Sequence, residues 1–152
     1  MSQAIVLFAH GSRDPHWHEP IAAVARAIAE RSPQTPVRCA YLELSEPSLP
    51  QAVQALVAQG VDAVRVFPLF LGMGKHARED LPQLMQGLRQ AHPQVQFELL
   101  PAAGQWPALT ALLADMALHK PTRPGWPTQL GRQRHERRIK GIMIGLLSPI
   151  QI

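Results

Sequence analysis

Cysteine is almost absent from this chain of 152 residues, and the single one, Cys39, cannot form an internal disulfide. Cys39 falls in a strand-like run, where a buried and unreactive thiol is expected rather than a nucleophile. No apolar run approaches the roughly 20 residues that a bilayer-spanning helix requires. No basic segment precedes the short apolar stretch near the start of the chain. We therefore expect no transmembrane segment, no signal peptide and a cytoplasmic protein.

The signatures of several common enzyme classes are also missing. The sequence has no GxGxxG after the first predicted strand, no Walker A loop, no cysteine pair with zinc spacing, no HExxH and no G-x-S-x-G. The usual signals for nucleotide binding, zinc proteolysis and esterase activity are therefore absent. The composition, 46% hydrophobic and 17% charged, is that of a packed globular protein with the length of about one domain.

The net charge of +4 arises from one segment of the chain. Of the 15 basic and 11 acidic residues, residues 119–140 hold seven basic and one acidic, so the remainder carries eight basic and ten acidic. Residues 119–141 have three prolines, three glycines and no hydrophobic period. They predict a basic, irregular and flexible tail over residues 119–152, after a domain of residues 1–118. Without a base-reading motif, we expect no nucleic-acid partner.

Four strand-then-helix units fill residues 4–118. The predicted strands are short apolar runs, and the predicted helices have apolar residues spaced three or four apart. Strands are expected at residues 4–9, 37–44, 63–71 and 95–100, and helices at residues 21–28, 49–57, 79–91 and 107–118. Because proline donates no ladder hydrogen bond, regular pairing should fail near Pro68. The alternation predicts a three-layer α/β fold, in which a four-stranded parallel sheet has helices on both faces.

Histidines follow two of the predicted strands. In open parallel sheets, ligands bind at the carboxyl ends of the strands, so the loops at that edge are the informative ones. His10 follows the first strand, residues 43–48 follow the second, and His76 lies in the loop of residues 72–80 after the third. Gly11 permits close backbone approach beside His10. A neutral imidazole is a common metal ligand and can also accept a proton, so His10 and His76 are the candidate metal ligands.

Acidic residues near these loops have two interpretations. Glu46 supplies a carboxylate for a metal or a proton, or else stabilises the helix that follows it through the helix dipole. Glu43 is expected in an apolar strand end, where burying an unpaired carboxylate is costly and favours a functional role. Glu79 and Asp80 are expected to begin the third helix as dipole and capping residues.

Basic and hydroxyl side chains beside the two candidate histidines suit an anionic ligand. Ser12 and Arg13 are donors next to His10. Lys75 and Arg78 make the segment around His76 basic, which suits a ligand with carboxylates, although solvated surface charge is the competing explanation. Among the other histidines, His16 and His18 are expected to be solvated near the first helix, and the remaining three are expected to be bystanders; these are His92, His119 and His135.

Several of these segments together resemble a known family. They are HGSRDP at residues 10–15, LELSEPSLPQAV at 42–53, FPLFLGMGKHAREDLP at 67–82 and, more weakly, LLPAAGQWPAL at 99–109. In order and content they resemble the small class II tetrapyrrole chelatases, the short sirohydrochlorin cobaltochelatases and ferrochelatases of the CbiX type. The resemblance covers residues 4–118. The sequence departs from the family pattern at GQWP in the loop after the fourth strand, and the tail resembles nothing in the family.

The resemblance implies a chelatase-like homodimer that inserts cobalt(II) or iron(II) into sirohydrochlorin, in cobalamin or siroheme biosynthesis. His10 and His76 match the two metal-handling histidines, and Glu46 would join them as a catalytic group. The divalent metal is then a substrate, and no permanently bound cofactor is expected. The alternative is a non-catalytic metal or tetrapyrrole carrier that uses the same two histidines. The expected substrate-binding residues are Ser12, Arg13, Glu43, Gly74, Lys75 and Arg78.

Overall fold

A computed structural model of the chain describes residues 2–118, with strands and helices in the predicted alternation. The strands are β1 (Gln3–Ala9), β2 (Val37–Tyr41), β3 (Ala63–Pro68) and β4 (Gln96–Leu99). The helices are α1 (Glu19–Arg31), α2 (Leu49–Ala58), α3 (Lys75–Ala91) and α4 (Pro107–Leu118). Two short 3-10 turns, Pro15–His18 and Ala103–Gln105, follow β1 and β4.

The four strands form one parallel sheet in the order β2-β1-β3-β4. Val6 of the central strand β1 lies opposite Arg38 of β2 on one side and Val66 of β3 on the other. Chain connections run from β1 outward to β2 and then back across to β3, so the order reverses between β1 and β3. The expected parallel α/β sheet is confirmed, and a reversal of this kind is where open α/β sheets usually bind a ligand.

Both faces of the sheet are covered, because successive side chains of a strand point to opposite faces. On one face, Val6 and Phe8 of β1 pack with Val53 of α2 and Met85 of α3. On the other face, Leu7 and Ala9 of β1 pack with Tyr41 of β2 and Ile21 of α1. This two-sided burial explains why β1 is a continuous apolar run, and the predicted helices on both faces are confirmed.

Local sequence signals set the start of α2. Ser48 is the N-cap, and its hydroxyl accepts a hydrogen bond from the backbone N–H of Gln51 at 3.4 Å. The side-chain oxygen Oε1 of Gln51 in turn accepts a hydrogen bond from the backbone N–H of Ser48 at 2.7 Å. Pro50 occupies the first turn, where no N–H is needed. This capping box fixes the residue at which the loop after β2 ends and α2 begins.

Two predicted boundaries need correction. β2 ends at Tyr41 rather than at residue 44, because the chain turns away from the ladder and Leu44 adopts a φ of 60°. α3 begins at Lys75, not at residue 79, with Gly74 as N-cap. The apolar pattern is weak in this first turn because Lys75, His76 and Arg78 are exposed and only the small side chain of Ala77 is buried, while lysine, alanine and arginine favour a helix. Regular β3 pairing ends at Pro68, as expected.

Helix α4 lies at the boundary between two units of the chain, residues 1–111 and 112–152. Of the second unit, only the end of α4 is among the described residues, and it carries exposed apolar side chains: Leu112, Leu113, Met116 and Leu118. The predicted flexible tail, residues 119–152, lies outside the described part of the chain. Within residues 2–118, no helix combines the length and apolar character that crossing a membrane requires.

Candidate functional site

The carboxyl ends of β1 and β3 lie side by side at one edge of the sheet. Phe8 of β1 is opposite Pro68 of β3, and the backbone N–H of Leu69 donates to the carbonyl of Phe8 at 2.7 Å. His10 follows the end of β1 by one residue, and His76 is the second residue of α3, which follows β3. The two histidines therefore belong to the connections that flank the reversal point of the sheet.

The ring of His10 rests on a buried aromatic residue. His10 is exposed, and its ring centroid lies 4.5 Å from that of Phe70, with 49° between the planes. Phe70 is only 2% exposed, and it packs edge-on against Phe8 at 5.8 Å. The backbone carbonyl of His10 also accepts a hydrogen bond from the N–H of Glu43 at 3.0 Å. One side of the imidazole is thus supported by the core while the residue itself stays open to solvent.

His76 lies in the first turn of α3 rather than in the predicted loop. The extended backbone of Gly74 (φ −66°, ψ 167°) precedes the helix, and the carbonyl of Gly74 accepts from the N–H of Arg78 at 3.2 Å. N–H groups of a first helical turn have no partner within the helix, so this end attracts anions. Lys75, His76 and Arg78 are all exposed and add cationic or neutral donors at the same place.

The acidic residues of α3 occupy positions other than those predicted. Glu79 and Asp80 are the fifth and sixth residues of the helix, so neither of them caps it. Glu79 instead faces the ammonium group of Lys75 at 3.9 Å, one helical turn away, with both side chains more than half exposed. Such an exposed pair is worth less than about 1 kcal/mol. The pair leaves Lys75 accessible to a competing carboxylate.

The loops after β1 and β2 touch through their backbones at Gly11. Gly11 has a φ of +95°, and a Cβ atom placed on it would lie 1.8 Å from the carbonyl oxygen of Glu43. The predicted close backbone approach at this glycine is confirmed. The predicted burial of Glu43 is wrong: its side chain is exposed beyond the end of β2, because its backbone, not its carboxylate, makes the contact with the neighbouring loop.

An open groove lies between the same two loops. Its volume is about 590 Å³. Three of the predicted site residues share it, since Ser12, Arg13 and Glu46 all line its walls. Leu44, held at a positive φ and 55% exposed, adds an apolar wall. The structure therefore brings a guanidinium, a carboxylate and an apolar side chain around one space, and His10 is not among the residues that line it.

His18, which the sequence predicts to be solvated, is instead half-buried and is itself one of the residues that line this groove. Its Nε2 lies 3.0 Å from the carbonyl oxygen of Ser12 and 3.2 Å from the hydroxyl of Ser45. The Ser45 hydroxyl also accepts from the N–H of Ser12 at 3.0 Å and donates to the Ser12 carbonyl at 2.8 Å. No local sequence signal indicates this network, because its partners are 27 and 33 residues apart.

The loop after β4 supports the other side of the site. A Cβ on Gly104 would lie 1.7 Å from the carbonyl oxygen of Leu71, and the N–H of Gly104 donates to the carbonyl of Phe70 at 2.9 Å. Trp106 is fixed by a hydrogen bond from its Nε1 to the carbonyl of Pro101 at 2.9 Å. The GQWP segment, which departs from the family pattern, therefore packs against the chain that leads from β3 into α3.

The remaining candidates contribute differently. Cys39 is half-buried in β2, and this burial raises the pKa of its thiol, which suits the expected unreactive form. Burial also raises the pKa of Tyr41, and the Cys39 thiol adds to that rise. Among residues 2–118, no three histidine, cysteine, aspartate or glutamate side chains lie together as a ready metal-ligand group.

Known proteins share this architecture. A CbiX protein from Marinobacter aquaeolei VT8, whose crystal structure is known, is 36% identical with a TM-score of 0.67, over 76% of this chain and 93% of that protein. The sirohydrochlorin chelatase SirB from Bacillus subtilis subspecies spizizenii, solved in complex with cobalt, is 30% identical with a TM-score of 0.56, over 65% of this chain and 42% of that one. These likenesses confirm the expected chelatase-type fold.

Curated relatives extend the comparison. The sirohydrochlorin cobaltochelatases of Methanococcus aeolicus and Methanocaldococcus jannaschii are 35% and 37% identical over 55% and 59% of this chain. The chain spans only 58% and 63% of the lengths of those two relatives. The model of the CbiX family matches residues 4–119, which is most of the chain. Because the family match, the fold and the loop motifs all agree with one another, this chain belongs to the CbiX family.

Proposed function

We propose that the protein inserts a divalent metal, cobalt(II) or iron(II), into sirohydrochlorin, as a step in cobalamin or siroheme biosynthesis. The observation that carries this proposal is the placement of His10 and His76 on the connections that flank the reversal point between β1 and β3. The names of the curated relatives, sirohydrochlorin cobaltochelatase, support both the reaction and the macrocycle. Structures of SirB with cobalt and with Fe³⁺ support the choice of metals.

The chemistry requires metal delivery and proton removal at one place. When a divalent ion enters the macrocycle, it forms bonds to the pyrrole nitrogens and two N–H protons leave. A neutral imidazole can hold the metal before transfer or accept one of these protons. His10, whose ring lies 4.5 Å from that of Phe70, and His76, in the first turn of α3, are the groups proposed for these two tasks. Glu46 is the proposed third catalytic group, since it lines the groove as an exposed carboxylate.

Substrate binding is proposed to rest on charge. Sirohydrochlorin carries carboxylate side chains around its rim, and arginine binds carboxylates through two parallel N–H donors. Arg13 lines the groove after β1, while Lys75 and Arg78 lie at the amino end of α3. The other proposed contacts are polar or backbone groups on the same loops: Ser12, Glu43 and Gly74. The cations on the loop after β1 and in the first turn of α3 would each bind carboxylates of the macrocycle.

The experiment that tests the proposal measures turnover. Purified full-length protein is mixed with an excess of sirohydrochlorin and cobalt(II) or iron(II), and the absorption of the macrocycle is followed. We expect many equivalents of metallated product per protein chain, formed faster than in a control without protein. A carrier would give at most one equivalent, and a rate equal to that of the control would refute the proposal. Comparing the two metals identifies the preferred one.

We also propose that the protein works in the cytoplasm as a homodimer that uses α4. Leu112 and Leu113 precede Met116 by four and three residues, so both neighbour it on one side of the helix, and each of the three is more than 40% exposed. Exposed apolar stripes of this kind mark contact surfaces. The family resemblance adds independent support.

Gel filtration with light scattering tests the dimer. The full chain should elute at twice its mass of 16.8 kDa. Replacing both Leu112 and Met116 by glutamate should shift it to the monomer mass, because burying a carboxylate in an apolar contact is costly. Thr110→Glu is the matched control: this residue lies on the other side of α4, and its variant should remain dimeric. A wild type of 16.8 kDa would refute the dimer.

A further inference from the structure

We propose that His18 is a positioning residue for substrate recognition, and not a solvated side chain or a metal ligand. Through Ser12 and Ser45 it holds the loops after β1 and β2 at a fixed separation, and so sets Arg13 and Glu46 on the walls of one groove. The inference rests on the proposed function, because its effect is on the binding of the anionic macrocycle.

The hydrogen bonds define which imidazole nitrogen acts. The carbonyl of Ser12 can only accept, so the Nε2 of His18, at 3.0 Å from it, carries the proton. The same N–H also approaches the hydroxyl oxygen of Ser45 at 3.2 Å. A neutral imidazole with its proton on Nε2 and a fully protonated imidazole both donate in this way. His18 therefore makes the same contact in either charge state.

The ring of His18 is held in place by aromatic neighbours. Its centroid lies 4.8 Å from that of Tyr41, which is buried, and 5.6 Å from that of Trp17. Trp17 in turn lies 6.3 Å from Tyr41, so the three rings form one cluster against the end of β2. With its Nε2 already engaged and its ring packed, His18 is fixed for holding the loop rather than for binding a metal.

The Ser45 hydroxyl completes the bridge between the loops. It accepts from the N–H of Ser12 and donates to the carbonyl of the same residue, so one side chain satisfies both backbone groups across 33 residues of sequence. Each serine directly precedes a charged residue of the groove: Arg13 follows Ser12, and Glu46 follows Ser45. Any change in the bridge therefore changes the distance between the guanidinium and the carboxylate.

The test compares His18→Ala with His18→Gln in the full-length protein. We expect His18→Ala to raise the KM for sirohydrochlorin about tenfold with kcat within about twofold of wild type, because the metal-handling histidines stay in place. In His18→Gln, the side-chain amide provides a donor at a similar distance from the backbone. This variant should restore KM to within about threefold of wild type. Fluorescence titration of the metal-free macrocycle gives the same comparison as a Kd, without turnover.

Two further variants keep the test decisive. Combining His18→Ala with Arg13→Ala should raise KM no more than Arg13→Ala alone, because residues that act through one contact are not additive. Should His18→Ala fail to fold, Ser45→Ala removes the same bridge and should raise KM equally. His16→Ala, an exposed neighbour on the same 3-10 turn, is the control and should match wild type.

The outcomes separate this inference from the proposed function. Absence of turnover in the wild type would refute the proposed function. With turnover present, three results would overturn the positioning role. These are an unchanged KM in His18→Ala, a fall in kcat of His18→Ala as large as the rise in its KM, and a KM in His18→Gln that stays as high as in His18→Ala.

Discussion

Replacing His10 or His76 by alanine is expected to reduce the rate of metal insertion to that of the reaction without protein. Each imidazole would supply a task that no neighbouring side chain provides: holding the metal before transfer or accepting a pyrrole proton. Removing a general base alone typically costs about 10²- to 10⁴-fold in rate. The measurement is the initial rate of the absorption change with sirohydrochlorin and cobalt(II), for each variant at matched protein concentration.

The rates of His10→Ala and His76→Ala at increasing cobalt(II) concentration show which histidine holds the metal and which accepts a proton. A histidine that holds the metal should be replaceable in part by a large excess of cobalt(II), whereas a histidine that accepts a proton should not. His92→Ala is the matched control, because His92 caps the opposite end of the helix that begins beside His76. Its rate should equal that of wild type. If both site variants kept wild-type rates, the assignment of His10 and His76 as the metal-handling pair would be wrong.

Gly11→Ala is expected to damage both stability and activity. The added Cβ would lie 1.8 Å from the carbonyl oxygen of Glu43, and an alanine at a φ of +95° is strained even without a contact. The backbone term costs about 1–2 kcal/mol and overpacking about 1–3 kcal/mol more. The free energy of unfolding should therefore fall by about 2–5 kcal/mol in a denaturant titration. Because the two loops must separate, the rate of metal insertion should fall by at least about tenfold.

Gly60→Ala is the control that separates the backbone strain at a positive φ from the contact with Glu43. Gly60 has a similar φ of +85°, but nothing lies within 4 Å of its Cβ position, and it follows α2 at the far end of the sheet from the histidines. This variant should lose only about 1–2 kcal/mol and keep its rate of metal insertion. Equal losses of stability and activity in both variants would show that the approach of Glu43 to Gly11 does not shape the site.

Several parts of the site could be predicted because their signals are local. The apolar run of β1 reveals burial on both faces, and the parallel sheet that follows places its carboxyl ends at one edge. His10 was therefore identified correctly as a residue at that edge. The start of α3 is not predicted correctly, because only the small side chain of Ala77 is buried in its first turn, and the sequence therefore places His76 in a loop.

The long-range contacts could not be predicted by the same means. Gly11 suggested close backbone approach, but only the fold identifies Glu43 as the group that approaches it. Glu43 was expected to be buried because the apolar pattern continues past the true end of β2, where Leu44 turns the chain. The bridge from His18 to Ser45 joins residues 27 apart, and no spacing rule covers such a pair.

The sequence by itself determined the class of fold, the edge of the sheet at which the chemistry is proposed to take place and the presence of His10 at that edge. These follow from hydrophobic periodicity and from the common direction of parallel strands, both of which act over a few residues. Only the tertiary structure decided how the loops meet: which backbone lies against Gly11, which serine bridges to Ser12, and that His18 joins this bridge in the wall of the groove. Those contacts depend on three-dimensional distance, which the order of residues along the chain does not encode directly.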